Sequence, residues 1–165
     1  MAMLHATADV SPQAVLGEGT RVWSNVQIRE RAIIGCNCII GRNSYIDFDV
    51  TIGDNVKIQN NASLYVGLKV EDGVFIGPHV VFTNDKLPRA INPDGSLKSA
   101  SDWHVGRTLV CYGAAIGAHT VIVTGVTVGR WAMVGSGAVV TKDVPDHALI
   151  VGNPGHVIGY VSASG

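Results

Sequence analysis

The residues best suited to chemistry crowd into one stretch, Thr83 to Leu109, which reads TNDKLPRAINPDGSLKSASDWHVGRTL. Asn84 offers an amide that both accepts and donates, a type that can orient a neutral nucleophile and meet a developing oxyanion. It would equally serve as a plain turn residue. Asp85 can accept a proton or orient an amine, or it can be a solvated loop carboxylate. Arg89 carries a planar fork that matches pyrophosphate, or it is a surface charge. His104 is the alternative general base in the stretch.

The elements that position this segment follow from a strict period of six. Stepping from Val10 gives Leu16, Val22, Ile28, Ile34, Ile40, Ile46, Ile52, Ile58, Leu64, Val70, Ile76 and Phe82, with no polar member. Four residues after each anchor lies a second small or apolar residue, such as Val26, Ala32, Cys38, Val50 or Val56. That period suits neither an amphipathic helix nor an alternating strand. It suits a hexapeptide β-helix, in which each hexad forms one short strand and one corner.

Backbone physics supports the corners. Three residues after each anchor stand Gln13, Gly19, Asn25, Arg31, Asn37, Asn43, Asp49, Asn55, Asn61, Gly67, Gly73 and His79. Most of these types tolerate positive φ, so one left-handed residue per hexad explains the column. Three hexads then make one triangular coil, and coils stack as parallel strands about 4.8 Å apart. Each buried anchor contributes roughly 1.5–3 kcal/mol before ordering entropy is subtracted. The column is structural and carries no chemistry. His79 and His119 both fall on corner positions, and His5 and His147 lie in terminal or turn segments.

The chain of 165 residues is expected to form a single all-β domain. Residues 1–9 form a lead-in cap, 10–82 the first run of coils, 83–109 the inserted loop, 110–144 the last coils and 145–165 a C-terminal tail. The register breaks after Phe82 and resumes at Val110, which defines the insertion. Long insertions without repeats in a compact domain are usually functional or disordered. Trp103, Leu97 and Ile91 imply that this one packs on something. In the tail, Ala148–Val151 reads as a strand, Asn153-Pro154-Gly155 as a turn and Val157–Val161 as a helical turn.

A formal net charge of −1 gives no field to attract nucleic acid. No run is apolar enough for a membrane span, and the first ten residues lack a signal-peptide core. Three cysteines, Cys36, Cys38 and Cys111, are odd in number. Cys38 lies on the inward column as a small hydrophobe. A cytoplasmic protein with no membrane partner is the simplest expectation.

Hexad repeats, a loop inserted before the last coils, and the ending GSGAVVTKDVP…VGNP together resemble the left-handed β-helix acyltransferases. That resemblance implies a left-handed coil, against the usual right-handed crossover rule. It also implies homotrimers that bind acetyl-CoA in clefts between neighbouring prisms. Within the family, KIQNNASLYVGLKVEDGVFIGPHVVFTNDKLPRA from Lys57 to Ala90 looks like the N-acetyltransferases acting on nucleotide-linked 3-amino sugars. Such enzymes serve surface polysaccharides and glycosylated natural products.

The resemblance can be tested on its chemistry. An O-acetyltransferase must deprotonate a hydroxyl, so it needs a placed base. The related sugar O-acetyltransferases put a His just after the strand that precedes the loop. Here that place reads Thr83 to Arg89 and holds no His. An amino sugar resembles an α-amino group, with pKa roughly 7.7–8.0, and is partly neutral already at pH 7. The segment therefore favours N-acetylation by direct attack on the thioester, with Asn84 and Asp85 as catalytic candidates. Asn61 sits on the corner column. Gln59 and Asn60 flank it and, by resemblance, face the sugar cleft, and Arg89 and His104 complete the substrate-binding candidates.

The family's coenzyme contacts carry over onto Ala118, Ser136, Thr141 and Lys142, with Lys142 meeting a phosphate as a point charge. Where relatives often have Arg after the GNP turn, this chain has His156 and Gly159, so Arg130 could take that role. No metal is expected. The γ-class carbonic anhydrases share the prism, but two of their zinc histidines are replaced here, at Ala118 and Val123. The substrate expected is a dTDP-3-amino-3,6-dideoxyhexose, with UDP-2-acetamido-3-amino-glucuronate as alternative. A sugar O-acetyltransferase using His104 and a non-catalytic trimeric scaffold are further alternatives.

Overall fold

A computed structural model describes residues 1–165, and every regular element in it is a strand. Most strands are two residues long, and their partners stand one eighteen-residue coil away. Lys57 pairs in parallel with Ile39 above and Phe75 below. Three sheets result, of nine, seven and six strands, and the chain visits them in turn. The product is a three-sided prism that fits the left-handed β-helix expected from the hexads. In the two-residue strands from Arg21–Val22 onward the first residue faces out and the second faces in, as in Lys57–Ile58 and Ile33–Ile34.

The inward residues form one contiguous core of 33 buried hydrophobic side chains. It contains every anchor from Val22 to Phe82 and the apolar +4 partners from Val26 to Val80, Cys38 among them, while Ser44 at the same position is buried but polar. Burial pushes the Cys38 thiol up from its ordinary value, as suits a packing residue. At the first coil Val10 and Leu16 are only partly buried, and Met3–Leu4 add an outer strand to the first sheet.

The corner column behaves as its residue types dictate. Asn25, Arg31, Asn37, Asn43, Asp49, Asn55, Asn61 and His79 all lie at φ between 55° and 61°. His119, Trp131, Gly113, Gly125 and Gly137 extend the pattern through the second run. Gln13 alone departs. Its turn closes with the Ala14 N–H on the Ser11 carbonyl at 3.0 Å, and Gln13 is absent from the positive-φ residues.

The three corners stack into three edges. Edge I, from the first sheet to the second, carries Gln59, Asn60, Ala118 and Ser136. Edge II, from the second to the third, carries Asn84, Thr124, Thr141 and Lys142, and the insertion leaves from it. Edge III, from the third back to the first, carries Cys36, Asp54, Tyr112 and Arg130.

Two readings of local structure are corrected. Val157–Val161 does not form a helical turn: His156–Tyr160 is a strand, antiparallel to Ala148–Val151. The first sheet would otherwise end on open N–H and C=O groups, and the returning chain satisfies them. Ile91 and Leu97 do not pack on the prism. They pair with each other in a lone bridge across the Asn92–Gly95 turn and stay 53% and 80% exposed.

Candidate active site

The insertion begins where the second sheet delivers Val81–Phe82, and Phe82 anchors it in the core. Its two ends are tied to edge II. Thr83 Oγ1 accepts from the Thr124 N–H at 3.0 Å, and the Gly106 N–H donates to the Asn84 carbonyl at 3.2 Å. Thr108 Oγ1 then accepts from the Gly125 N–H at 3.1 Å. The loop is held against the edge rather than left in solvent.

One cleft opens between loop and edge, and a second opens within the loop itself. The first, inner one of about 420 Å³ is lined by Asp85, Lys86, Trp103, His104 and Thr124, among others. The second, outer one of about 540 Å³ holds Asn84, Arg89 and Ser99. Asp85, Lys98 and Trp103 line both. The structure thus gathers Asn84, Asp85, Arg89 and His104 at one place, with His104 on the inner side and Asn84 and Arg89 on the outer.

The Asn84 side-chain amide has no partner within the chain, whereas its carbonyl holds the loop's far end. That leaves an amide free to donate and accept. Asp85 Oδ1 accepts from the Leu87 N–H at 2.8 Å, which orients the carboxylate. Hydrogen bonds from the Ser99 N–H and hydroxyl hold the Asp102 carboxyl below its usual range. Arg89 donates to the Pro88 carbonyl at 3.3 Å. Below the inner cleft lies Thr124 Oγ1, the one buried side-chain polar atom without a hydrogen-bond partner.

The remaining candidates lie elsewhere on the prism. Gln59 and Asn60 line a separate groove of about 250 Å³ on edge I, with Trp23 and Arg42. Ala118 and Ser136 follow on the same edge, their turns linked by the Gly137 N–H on the Ala118 carbonyl at 2.8 Å. Thr141 and Lys142 are exposed on edge II, after the strand Val139–Val140. Within one chain, then, the site residues divide between two edges that flank the second sheet. Asn61 stays on the corner ladder: Asn43 Nδ2 donates to its Oδ1 at 3.0 Å, and its Nδ2 lies 3.3 Å from His79 Nε2. His79 and His119 continue the ladder as stacked rings 4.6 Å apart. No group of three or more His, Cys, Asp and Glu is placed to hold a metal ion.

Sequence reasoning missed a polar network higher on edge II. The carboxylate of Asp47 is almost fully buried, accepting from Tyr45 Oη at 2.8 Å and from the Phe48 and Val66 N–H groups. Arg29 pairs with Glu30 at 2.7 Å and approaches Asp47 at 3.5 Å. Hydrogen bonding to Arg29 lowers the Glu30 pKa. The available signal was the eighteen-residue step from Arg29 to Asp47.

Residues 13–48, 31–65 and 49–84 match the family described as bacterial transferase hexapeptide (six repeats). Residues 113–142 match the hexapeptide repeat of succinyl-transferase. The dTDP-3-amino-3,6-dideoxy-alpha-D-galactopyranose 3-N-acetyltransferase of Aneurinibacillus thermoaerophilus is 59% identical over 56 residues, 34% of this chain and 29% of that protein. The galactoside O-acetyltransferase of Escherichia coli K12 is 31% identical over 126 residues, 75% of this chain and 54% of that protein. The chain therefore spans less than two thirds of the length of these curated relatives. PerB from Caulobacter crescentus, in a crystal structure with CoA and GDP-perosamine, aligns at a TM-score of 0.50 and 25% identity over 96% of this chain and 57% of that one. No helix is long and apolar enough to cross a membrane.

Proposed function

The chain belongs to the bacterial transferase hexapeptide family, and from that premise we propose that it is an acetyl-CoA-dependent N-acetyltransferase. Its acceptor is the 3-amino group of a nucleotide-linked sugar, a dTDP-3-amino-3,6-dideoxyhexose. The observation that carries the reading is the 59% identity over 56 residues to a 3-N-acetyltransferase of that sugar class. The loop supports it, because Asn84 presents an uncommitted amide at the cleft where a nucleophile would be oriented.

In this reading the neutral amine attacks the thioester carbonyl of acetyl-CoA. Asn84 orients the amine, and backbone N–H groups meet the oxyanion. The C–S bond then breaks, and the amine's proton passes to the departing thiolate, to Asp85 or to solvent. Gln59 and Asn60 contact the sugar, and Arg89 the pyrophosphate. Ala118 and Ser136 follow the pantetheine arm, while Thr141 and Lys142 meet its phosphates. These groups occupy edges I and II, so the site is complete only where edge I of one prism meets edge II of the next. A cytoplasmic homotrimer supplies that meeting.

One observation favours a second reading. His104 lines the inner cleft beside Asp85, where a general base could serve a hydroxyl acceptor. Thiol release from acetyl-CoA separates the readings. The acceptors are dTDP-3-amino-3,6-dideoxygalactose, UDP-2-acetamido-3-amino-glucuronate and a galactoside. Turnover on an amino sugar that persists in His104→Ala upholds the proposal and names the nucleotide. Turnover only on the galactoside, lost in His104→Ala, replaces it with O-acetylation. Silence on all three leaves a non-catalytic scaffold.

A further inference from the structure

We propose that the two loop clefts seat the nucleoside diphosphate of the acceptor, with Lys86 and Lys98 meeting the diphosphate and Trp103 stacking on the base. This rests on the nucleotide-sugar reading above and names residues that hold its nucleotide. The clefts share a wall made by Asp85, Lys98 and Trp103, so one ligand can run through both. Their volumes, about 420 and 540 Å³, fall in the range of small-molecule sites.

The charges around that wall are arranged unequally. The chain's ion pairs involve only Arg29, Arg31 and the N-terminal amine, so Lys86 and Lys98 form no salt bridge, although Lys98 is near enough to Asp102 to help lower its pKa. The loop's own carboxylates are committed to hydrogen bonds within the loop, although Asp85 and Asp102 also line the inner cleft. Asp85 accepts from the Leu87 N–H, and Asp102 accepts from Ser99. Asp94 accepts from the Ser96 N–H at 3.0 Å and its hydroxyl at 2.6 Å. The acids fix the loop's shape while the ammonium groups stay available to an anion.

Lys86 reaches across Gly125, its Nζ standing 3.6 Å from where a Cβ would project. Gly125 has φ +85°, the left-handed corner conformation that favours glycine. Trp103 is half-buried and offers a flat apolar surface beside Lys98. An aromatic plane next to a cation suits a base joined to a diphosphate, because every base has a face to stack.

Coenzyme A also carries a diphosphate and a base, so the chemistry alone has two sources. The placement favours the acceptor. Asp85 lines both clefts and Asn84 the outer one, and none of Ala118, Ser136, Thr141 and Lys142 lines either.

The test compares wild type with Lys98→Ala, Lys86→Ala, Trp103→Ala and Trp103→Phe in two assays. Steady-state kinetics give KM for the dTDP-amino sugar and for acetyl-CoA, and calorimetry gives the Kd of dTDP alone. Each alanine variant is expected to raise the nucleotide-sugar KM and the dTDP Kd about tenfold, with KM for acetyl-CoA unmoved. Trp103→Phe is expected to recover most of the loss, which separates stacking from a loop that no longer folds. Unchanged dTDP binding in the variants, no dTDP binding by wild type, or a rise confined to the acetyl-CoA KM would overturn the proposal. Absence of turnover on any amino sugar overturns the functional reading instead, and the dTDP titration still judges the clefts.

Discussion

The Gly106 amide donates to the Asn84 carbonyl at 3.2 Å, joining the end of the inserted loop to its beginning. This bond closes the loop over edge II and sets where the Asn84 side chain emerges. Gly106 also lies directly on Thr124, whose Cβ and Cγ2 stand 3.0 and 3.1 Å from a Cβ built at that glycine. Thr124 is itself buried and cannot retreat.

Gly106→Ala should therefore lift the strap and release Asn84 without touching the prism core. The expected result is a fall in kcat of about 10- to 100-fold, the scale of a small misplacement at a reacting centre. The thermal unfolding midpoint should stay close to that of wild type. Kinetics and a melting curve on the same preparation read both.

Asn84→Ala removes an amide that has no partner within the chain. Its unfolding midpoint should match wild type, while kcat falls about 10²–10³-fold, the scale for losing one oriented polar group. Asn84→Asp keeps the shape and loses the donor, so it should fail nearly as badly. Recovery of activity in the aspartate variant would show that acceptance, not donation, is what Asn84 supplies.

At Asn61 the backbone and the side chain can be separated. Its φ of 61° penalises a side chain that cannot support the left-handed region, by about 1–2 kcal/mol. Asn61→Ala should lose that amount together with the ladder bonds to Asn43 and His79. Asn61→Gly should recover the backbone part only. Chemical denaturation of the three proteins measures the difference.

The loop should respond to acid in a definite direction. Hydrogen bonds from Ser99 lower the Asp102 pKa in the folded state. Such a group stabilises the folded loop at pH above its unfolded value, about 3.9, and the contribution vanishes as pH falls through the folded value. Protection of the Ser99 amide against hydrogen exchange should be flat near neutrality and decline below about pH 4. Asp102→Asn should remove that decline. Protection that rises on acidification would reverse the sign and contradict the assignment.

What could be read in the sequence was whatever a single hexad decides by itself. An aliphatic anchor and a residue able to hold positive φ are local requirements, so Ile58 and Asn61 announce their roles without knowledge of the neighbouring coil. Even His79 and His119 were legible as corners, because the step of six puts them there. Asp47 was not. Its burial depends on Tyr45 in its own coil and Val66 in the next, a relation that a six-residue pattern does not contain. The same holds for Lys98, which lines a cleft with Asp85 and Trp103 only because the loop turns at Asn92–Gly95 and returns. The division of site residues between edges I and II also needed the three-sheet topology. Asn60 and Asn84 differ by 24 residues, not by whole coils of eighteen, and so fall on different corners.

The measurement that bears most directly on the central claim uses a matched pair of acceptors. One is dTDP-3-amino-3,6-dideoxygalactose, and the other is the same nucleotide sugar with a hydroxyl at that carbon. Each is incubated with acetyl-CoA, and NMR of the product identifies the new bond. The account predicts an amide at the 3-position of the amino sugar and no ester on its hydroxyl counterpart, with or without His104. An ester on the hydroxyl sugar at a comparable rate, abolished in His104→Ala, would contradict it.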